Sequence, residues 1–310
     1  MTTRTFRRRA ALSAALVLSL SGCGLSGDAL DSGSGGGDCK VEKPKEAPVK
    51  VGSADFPESS LIAEVYAGAL QAKGIRASTT DPIGAREAYL KALGDGSVQV
   101  VPEYTGSLLT FVDENSKEKD PQEVYAALLT SLPCNQLALQ PSRAEDSNEM
   151  VVTKATADKW QLKTISDLAK HANEITIAAP SEFQGREQGL LGLKRTYNLT
   201  PKSFRPLASA AVVEALKNNQ AQAGNIFSTD PSIKVNNFVV LQDDKKLFGA
   251  DQVVPLVAKS AATPKMQVAL NAVSAKLTTD KLAEMLKQVV VDKKSAKAVA
   301  KTFLQAEGLA

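Results

Sequence analysis

The stretch VGSADFPESSLIAE, residues 51–64, decides how the chain is read. Its start closes a β-branched run, residues 48–53, that reads as a buried strand. Its end opens a helix whose apolar face is Leu61, Ile62, Val65, Tyr66, Ala69 and Leu70, spaced with a 3.6-residue period. The turn between them carries Asp55 and Phe56. A strand, a turn and a helix in that order form the unit of an α/β fold, and the turn after such a strand is where open α/β sheets bind ligands.

Outward from this unit the same alternation continues. Residues 98–101, 149–153, 175–179, 238–241 and 253–258 read as further buried strands, separated by helical patterns, which predicts helices on both faces of mainly parallel sheets. Thr164, with Asp167 three residues on, predicts a capping box opening a helix over 165–171, and Pro121, Gln122 and Glu123 suit a first helical turn. From Pro264 onward the chain reads as amphipathic helix, with Leu282, Met285, Leu286 and Val289, then Val299, Phe303 and Leu304, as core stripes. Residues 48–310 are long enough for one large domain or two smaller ones.

Upstream, Leu20-Ser-Gly-Cys23 ends a short leader. Arg4, Arg7, Arg8 and Arg9 give it a basic start, residues 10–20 are apolar, and Ser21 and Gly22 are the small residues before a cut. The apolar run is too short to span a bilayer. Residues 1–22 therefore read as a lipoprotein signal peptide, Cys23 as the lipidated first residue of the mature chain, and residues 23–47 as a flexible polar linker. This places the protein on the extracytoplasmic face of the cell membrane, tethered by its lipid. Loss of the leader removes four arginines and takes the formal charge from +3 to −1, so nothing favours a nucleic-acid partner. With Cys23 lipidated, Cys39 and Cys134 form an even pair in an oxidising compartment, which predicts a disulfide; two free thiols are the alternative.

Four segments carry a family resemblance. Residues 51–64 resemble the first strand, turn and helix of the substrate-binding proteins of osmoprotectant ABC importers, which take glycine betaine, choline, carnitine or proline betaine, and in particular the ProX-type lipoproteins of actinobacteria. Ala92-Leu93 through PEYTG (102–106), then SEFQGR (181–186), then FSTD (227–230) with LQDDK (241–245), match further motifs of that family in order. The resemblance implies a type II periplasmic-binding fold with two α/β lobes, two hinge crossovers and a ligand cleft between the lobes. It places the crossovers near 141–147 and 243–251, giving lobe 1 as 48–142 plus 250–310 and lobe 2 as 143–249. It also implies a monomer serving an ABC permease with a separate ATPase subunit, and no cofactor.

A trimethylammonium group offers no N–H donor, so selecting it over water needs electron-rich ring faces, and a carboxylate partner needs a cation or clustered N–H groups. The candidate rings are Phe56, Tyr104, Phe183 and Phe227, and the candidate cations are Arg86 and Arg186. Asp55, Ser59, Asn148, Met150 and Thr229 complete the candidate set. Each has a structural alternative: a core tyrosine at 104, core plugs at 56 and 183, a solvated Arg86, Arg186 clamped by Asp230 or Glu182, and Asp55 as a helix cap. The chain departs from the family at Ser59, where glutamine is common, at Ala85 and Arg86, where Gly and Thr are common, and at Met150 and Val213, where box tyrosines are expected. Met150, Val213 and Phe227 would make the cleft more apolar and roomier, suiting a larger, less cationic ligand. A sensor role on the same fold is a further alternative. A hydrolase is disfavoured, because His171 is the only histidine and the chain has no nucleophile elbow, phosphate-binding loop, dinucleotide fingerprint or His/Cys metal cluster.

Overall fold

The computed structural model describes Pro44 and residues 47–249 and 251–310. The leader, the lipidation site Cys23 and the disulfide candidate Cys39 lie outside the described residues. Ten strands follow in chain order: β1 (Val49–Val51), β2 (Ala77–Thr79), β3 (Val100–Tyr104), β4 (Gln136–Ala138), β5 (Asn148–Val152), β6 (Thr176–Ala179), β7 (Ser203–Pro206), β8 (Ala223–Phe227), β9 (Val239–Leu241) and β10 (Val253–Ala258). They form two sheets, ordered β2-β1-β3-β10-β4 and β7-β6-β8-β5-β9. In each, the strand that has just crossed from the other sheet, β10 or β5, runs antiparallel to its neighbours.

The first sheet carries helices α1 (Pro57–Ala72), α2 (Arg86–Gly94), α3 (Thr105–Val112) and α4 (Pro121–Ser131). The second carries α5 (Lys154–Trp160), α6 (Ile165–Ala169), α7 (Leu190–Tyr197), α8 (Ser209–Lys217) and α9 (Ser232–Val235). Three C-terminal helices, α10 (Pro264–Lys276), α11 (Thr279–Val290) and α12 (Ala296–Ala306), return to the first lobe. There Leu282, Met285, Leu286, Val299, Phe303 and Leu304 join the cluster of Leu61, Ile62, Val65, Tyr66 and Leu70, so the apolar stripes read from the sequence close on one another. The approach is tight at Gly68, where a Cβ would stand 2.5 Å from Leu304 Cδ1. The Thr164–Asp167 capping box is formed, and Asp120 caps α4 ahead of Pro121. The helix after Thr164 stops at Ala169, short of His171.

The chain passes between the sheets twice, over residues 139–147 and 242–252, and the two passages lie side by side. Val253 N–H donates to the carbonyl of Ala144, and Asp146 N–H to that of Asp251. Glu145 and Gln252 pair as an isolated antiparallel bridge. Two adjacent passages that alone join the two sheets are the geometry of a hinge.

The strand reading needs extension. β3 runs on past Pro102 to Tyr104, because Pro102 faces Pro255 of β10 beyond the point where β1 ends, at Val51 opposite Val100. β2 and β7 are short, mostly polar edge strands without the alternation that marks a half-buried one, and β4, on the other edge, has only three residues in which to show it. β8 is buried and central, but Gly224 and Asn225 break its apolar run. Gly224 is required by packing, since a Cβ there would stand 2.8 Å from Val212 Cγ1 of α8.

Candidate ligand-binding cleft

Both sheets present the C-terminal ends of their parallel strands to the gap between them. The turn after β1 delivers Ala54, Asp55 and Phe56, β3 ends on Tyr104, and β8 ends on Phe227. The segment after β6 forms the short 3-10 turn Ser181–Gly185 and delivers Phe183 and Arg186. Because β5 and β10 run the other way, it is their starts that face the gap, with Asn148 and Asp251. The result is a cleft of about 300 Å³, at the small end of the range for small-molecule sites.

Phe56, Tyr104 and Phe227 form one cluster across the lobes, with centroids 5.2 Å apart for Phe56–Phe227, 6.3 Å for Phe56–Tyr104 and 6.4 Å for Tyr104–Phe227. Tyr104 and Phe227 are nearly parallel, at 9°, and Phe56 is inclined by 29° to each, so the rings stack on one another as well as lining the cleft. Stacking of this kind adds to the area each ring buries.

The cations are already engaged. Arg86 is buried and holds Glu103 in a two-pronged contact, Nε to Oε1 at 2.8 Å and Nη2 to Oε2 at 3.0 Å. Glu103, fully buried, also accepts from Tyr89 Oη at 2.7 Å and from the backbone N–H of Tyr104 at 2.9 Å. Burial opposes the guanidinium charge, but Glu103 and Tyr89 beside it hold its pKa well above the usual value. Arg86 is therefore neither solvated nor free. Arg186 reaches across the cleft to Glu87, its Nη2 3.2 Å from each carboxylate oxygen, and pairs with neither Asp230 nor Glu182. Its Nε is buried with no hydrogen-bond partner. Asp55, Glu114 and Glu182 line the cleft without a cation beside them in any ion pair of the described residues, so the lining is net acidic.

The lobes touch directly. Gln188 accepts from Ser107 Oγ at 2.9 Å and from Asn148 Nδ2 at 3.3 Å, and its Nε2 donates to Thr110 Oγ1 at 3.4 Å. Ser107 Oγ also lies 2.5 Å from Asp251 Oδ2. One hydroxyl hydrogen cannot serve both acceptors, so the two contacts coexist when Asp251 is protonated and donates to Ser107. Burial pushes the Asp251 carboxyl up to about 7. Deeper in, Glu58 accepts from Tyr104 Oη at 2.6 Å and from Thr229 Oγ1 of the other lobe.

Of the candidates, Asp55, Phe56, Arg86, Tyr104, Asn148, Phe183, Arg186 and Phe227 line the cleft. Three do not. Ser59 is buried beneath the first turn, where its Oγ accepts the Ala54 N–H at 2.9 Å and fixes the loop that carries Asp55 and Phe56. Met150 is fully buried in the core of the second lobe, two residues deeper along β5 than Asn148, about 7 Å further from the gap. Thr229 is buried against Glu58 and Asp146. Val213 packs on the α8 core instead of lining the cleft, so the roomier apolar cleft expected from Met150 and Val213 is not formed. Asp55 does not cap α1, whose N-cap, Phe56, makes no side-chain bond. Gln188, Glu87, Ser107 and Asp251 carry no local pattern that marks them in the sequence. His171 lies outside the cleft, stacked on Trp160 with centroids 4.7 Å apart. Among the described residues no group of three or more His, Cys, Asp or Glu could hold a metal, and no helix is long and apolar enough to cross a membrane. Cys134 is disulfide-bonded.

Comparison with known proteins places these features in context. Residues 47–306 match the family described as the substrate-binding domain of the ABC-type glycine betaine transport system. The carnitine transport binding protein OpuCC of Listeria monocytogenes is 25% identical over 269 residues, covering 83% of this chain and 86% of its own. The glycine-betaine-binding protein of Pseudomonas aeruginosa is 26% identical over 271 residues, covering 83% and 87%. A crystal structure of a glycine betaine/carnitine/choline ABC transporter superposes with a TM-score of 0.66 at 23% identity, over 84% of this chain and 99% of that one, sharing the type II periplasmic-binding fold.

Proposed function

This chain belongs to the family of substrate-binding domains of ABC-type glycine betaine transport systems, and from that premise we propose that its cleft captures a small quaternary-amine solute. It is a binding protein and not an enzyme. The observation that carries the ligand reading is the cluster of Phe56, Tyr104 and Phe227, drawn from both lobes onto a cleft whose unpaired charges are acidic. Ring faces contribute about 0.5–2 kcal/mol each toward a cation that cannot hydrogen-bond. Arg186 Nε–H, buried and open, supplies a donor for an acceptor group at the solute's other end, as in glycine betaine or carnitine.

Capture proceeds by closure. The open protein binds between the lobes, and a solute touching both lobes stabilises the shut form by its differential affinity for it. Residues 48–142 with 250–310 move as one lobe and 143–249 as the other, about the paired passages near 144 and 252. Residues 1–22 are removed, Cys23 carries the lipid, 23–47 are the tether, and Cys39 bridges Cys134. The shut monomer hands its solute to an ABC permease on the extracytoplasmic side, driven by a separate ATPase subunit. A thermal-shift panel of glycine betaine, choline, carnitine, ergothioneine, amino acids, polyols and small aromatics tests the reading, since specific binding raises the melting temperature by mass action. The quaternary amines are expected to shift the melt; if none does while an uncharged aromatic does, the ligand reading fails and the fold stands.

A further inference from the structure

Beneath the aromatic cluster, two buried carboxyl groups from opposite lobes face each other. Glu58, 3% exposed in the first turn of α1, is held to the first lobe by Tyr104. Asp146, 1% exposed in the first passage, is held to the second lobe, its Oδ1 accepting from Thr229 N–H and Ser228 Oγ, each at 3.0 Å. The two carboxyls meet on one residue, Thr229, whose N–H donates to Asp146 and whose hydroxyl donates to Glu58. Yet Asp146 Oδ2 meets no donor. Both Glu58 oxygens already accept hydroxyls, from Tyr104 and Thr229. Two carboxylates have no hydrogen to share, so the buried Asp146 Oδ2 gains a partner in Glu58 only when one of the two carries a proton.

The surroundings allow no other compensation. Asp230 adds negative charge on Glu58, and the charges of Asp146 and Glu149 act on each other. No ion pair among the described residues brings a lysine or arginine to either carboxyl, and the Tyr104 hydroxyl is spent as a donor. Burial pushes both groups up, and repulsion from Glu58 pushes Asp146 further. When the lobes part, Glu58 leaves with α1 and Asp146 stays with Thr229, and water reaches both.

We infer that Glu58 and Asp146 together hold one proton while the lobes are shut, Asp146 Oδ2–H donating to Glu58, and that this O–H bond breaks and the proton passes to water when they open. Closure is thus proton-linked, and acid favours the shut form. The inference rests on the reading of this molecule as a closing capture protein, and not on which solute it captures.

The test needs no solute. X-ray scattering of the mature protein between pH 4.5 and 9 reads the radius of gyration as a measure of opening. The wild-type radius is expected to grow as pH rises, because one bound proton changes the ratio of shut to open forms by up to about tenfold per pH unit. Asp146→Asn places a permanent N–H opposite Glu58, and Glu58→Gln places one opposite Asp146; in each the radius is expected to stay small and lose its pH dependence. The two replacements test the same contact from opposite lobes, so one that folds poorly leaves the other to read. A wild-type radius unchanged across the range overturns the inference. So does the same pH dependence in wild type and variants, which would assign it to Asp251 or Glu149. A radius that follows sodium concentration at fixed pH also overturns it, since the pair would then hold a metal cation.

Discussion

Replacing Glu103 with glutamine isolates the charge that keeps Arg86 quiet. Four donors converge on the Glu103 carboxylate: two from Arg86, one from Tyr89 and one from the Tyr104 backbone. Glutamine keeps one accepting oxygen but turns an NH₂ toward the remaining donors, and it leaves Arg86 charged and unpaired at 8% exposure. Removing one partner of a buried ion pair costs about 3–5 kcal/mol, which is a large fraction of the stability of a typical domain. At about 2–4 °C per kcal/mol, the expected fall in melting temperature is roughly 10 °C. Binding should fall as well. A solute cation about 8 Å from an uncompensated guanidinium, at an effective dielectric near 20, loses about 2 kcal/mol, or roughly 30-fold in affinity. Calorimetric melting and titration with the solute found by the thermal-shift panel read the two effects separately. Glu284→Gln serves as the control, because Glu284 is exposed on α11, away from the cleft. A Glu103→Gln protein that melts within about 1 kcal/mol of wild type, with its affinity intact, would refute the reading of Arg86 as a neutralised wall of the cleft.

Three further outcomes follow from the same geometry. Tyr104→Ala is expected to cost the solute at least ~1 kcal/mol while Tyr104→Phe keeps most of the affinity, and an unchanged dissociation constant in the alanine variant would remove this ring from the site. Met150→Ala should destabilise the fold by about 2–5 kcal/mol in urea melts yet leave solute affinity unchanged, and a specific loss of binding would return Met150 to the cleft. Asp251, raised to about 7 in the folded protein, favours the protonated folded form, so its stabilising effect is full below pH 4 and is lost as pH rises to 7. Asp251→Asn should flatten the stability profile across that window, removing up to about 3 kcal/mol of the difference between chemical denaturation at pH 5 and at pH 8.

Of the inner strands, β3, β5, β6 and β10 were legible because they are largely buried and so read as short apolar runs. β10 shows this most clearly, with every residue buried. What the sequence concealed has two physical sources. Edge strands such as β7, Ser203–Pro206, are mostly exposed and bury too little to carry a pattern. β8 is concealed by its own packing: α8 lies so close that position 224 takes glycine, and Asn225 beside it turns its amide to the Glu149 carbonyl and its side chain to the cleft. A strand broken by glycine and asparagine reads as a loop, although it is the middle of the sheet.

The site divides along a different line. Residues that owe their place to one strand end, such as Phe56, Tyr104 and Phe227, can be found from local order alone, because a strand followed by a turn fixes where they point. Residues that owe their role to the opposite lobe cannot. Arg186 reads as a free cation until Glu87, 99 positions away, is seen against it, and Gln188 shows no role until Ser107 and Thr110 close on it. Even the sign of the cleft is hidden, since a count of side chains gives two arginines while the pairing leaves an acidic lining. The two pairs also differ in kind. Arg86 and Glu103 both belong to the first lobe, whereas Arg186 and Glu87 join one lobe to the other, so the first pair is built into a lobe and the second depends on how the two lobes meet.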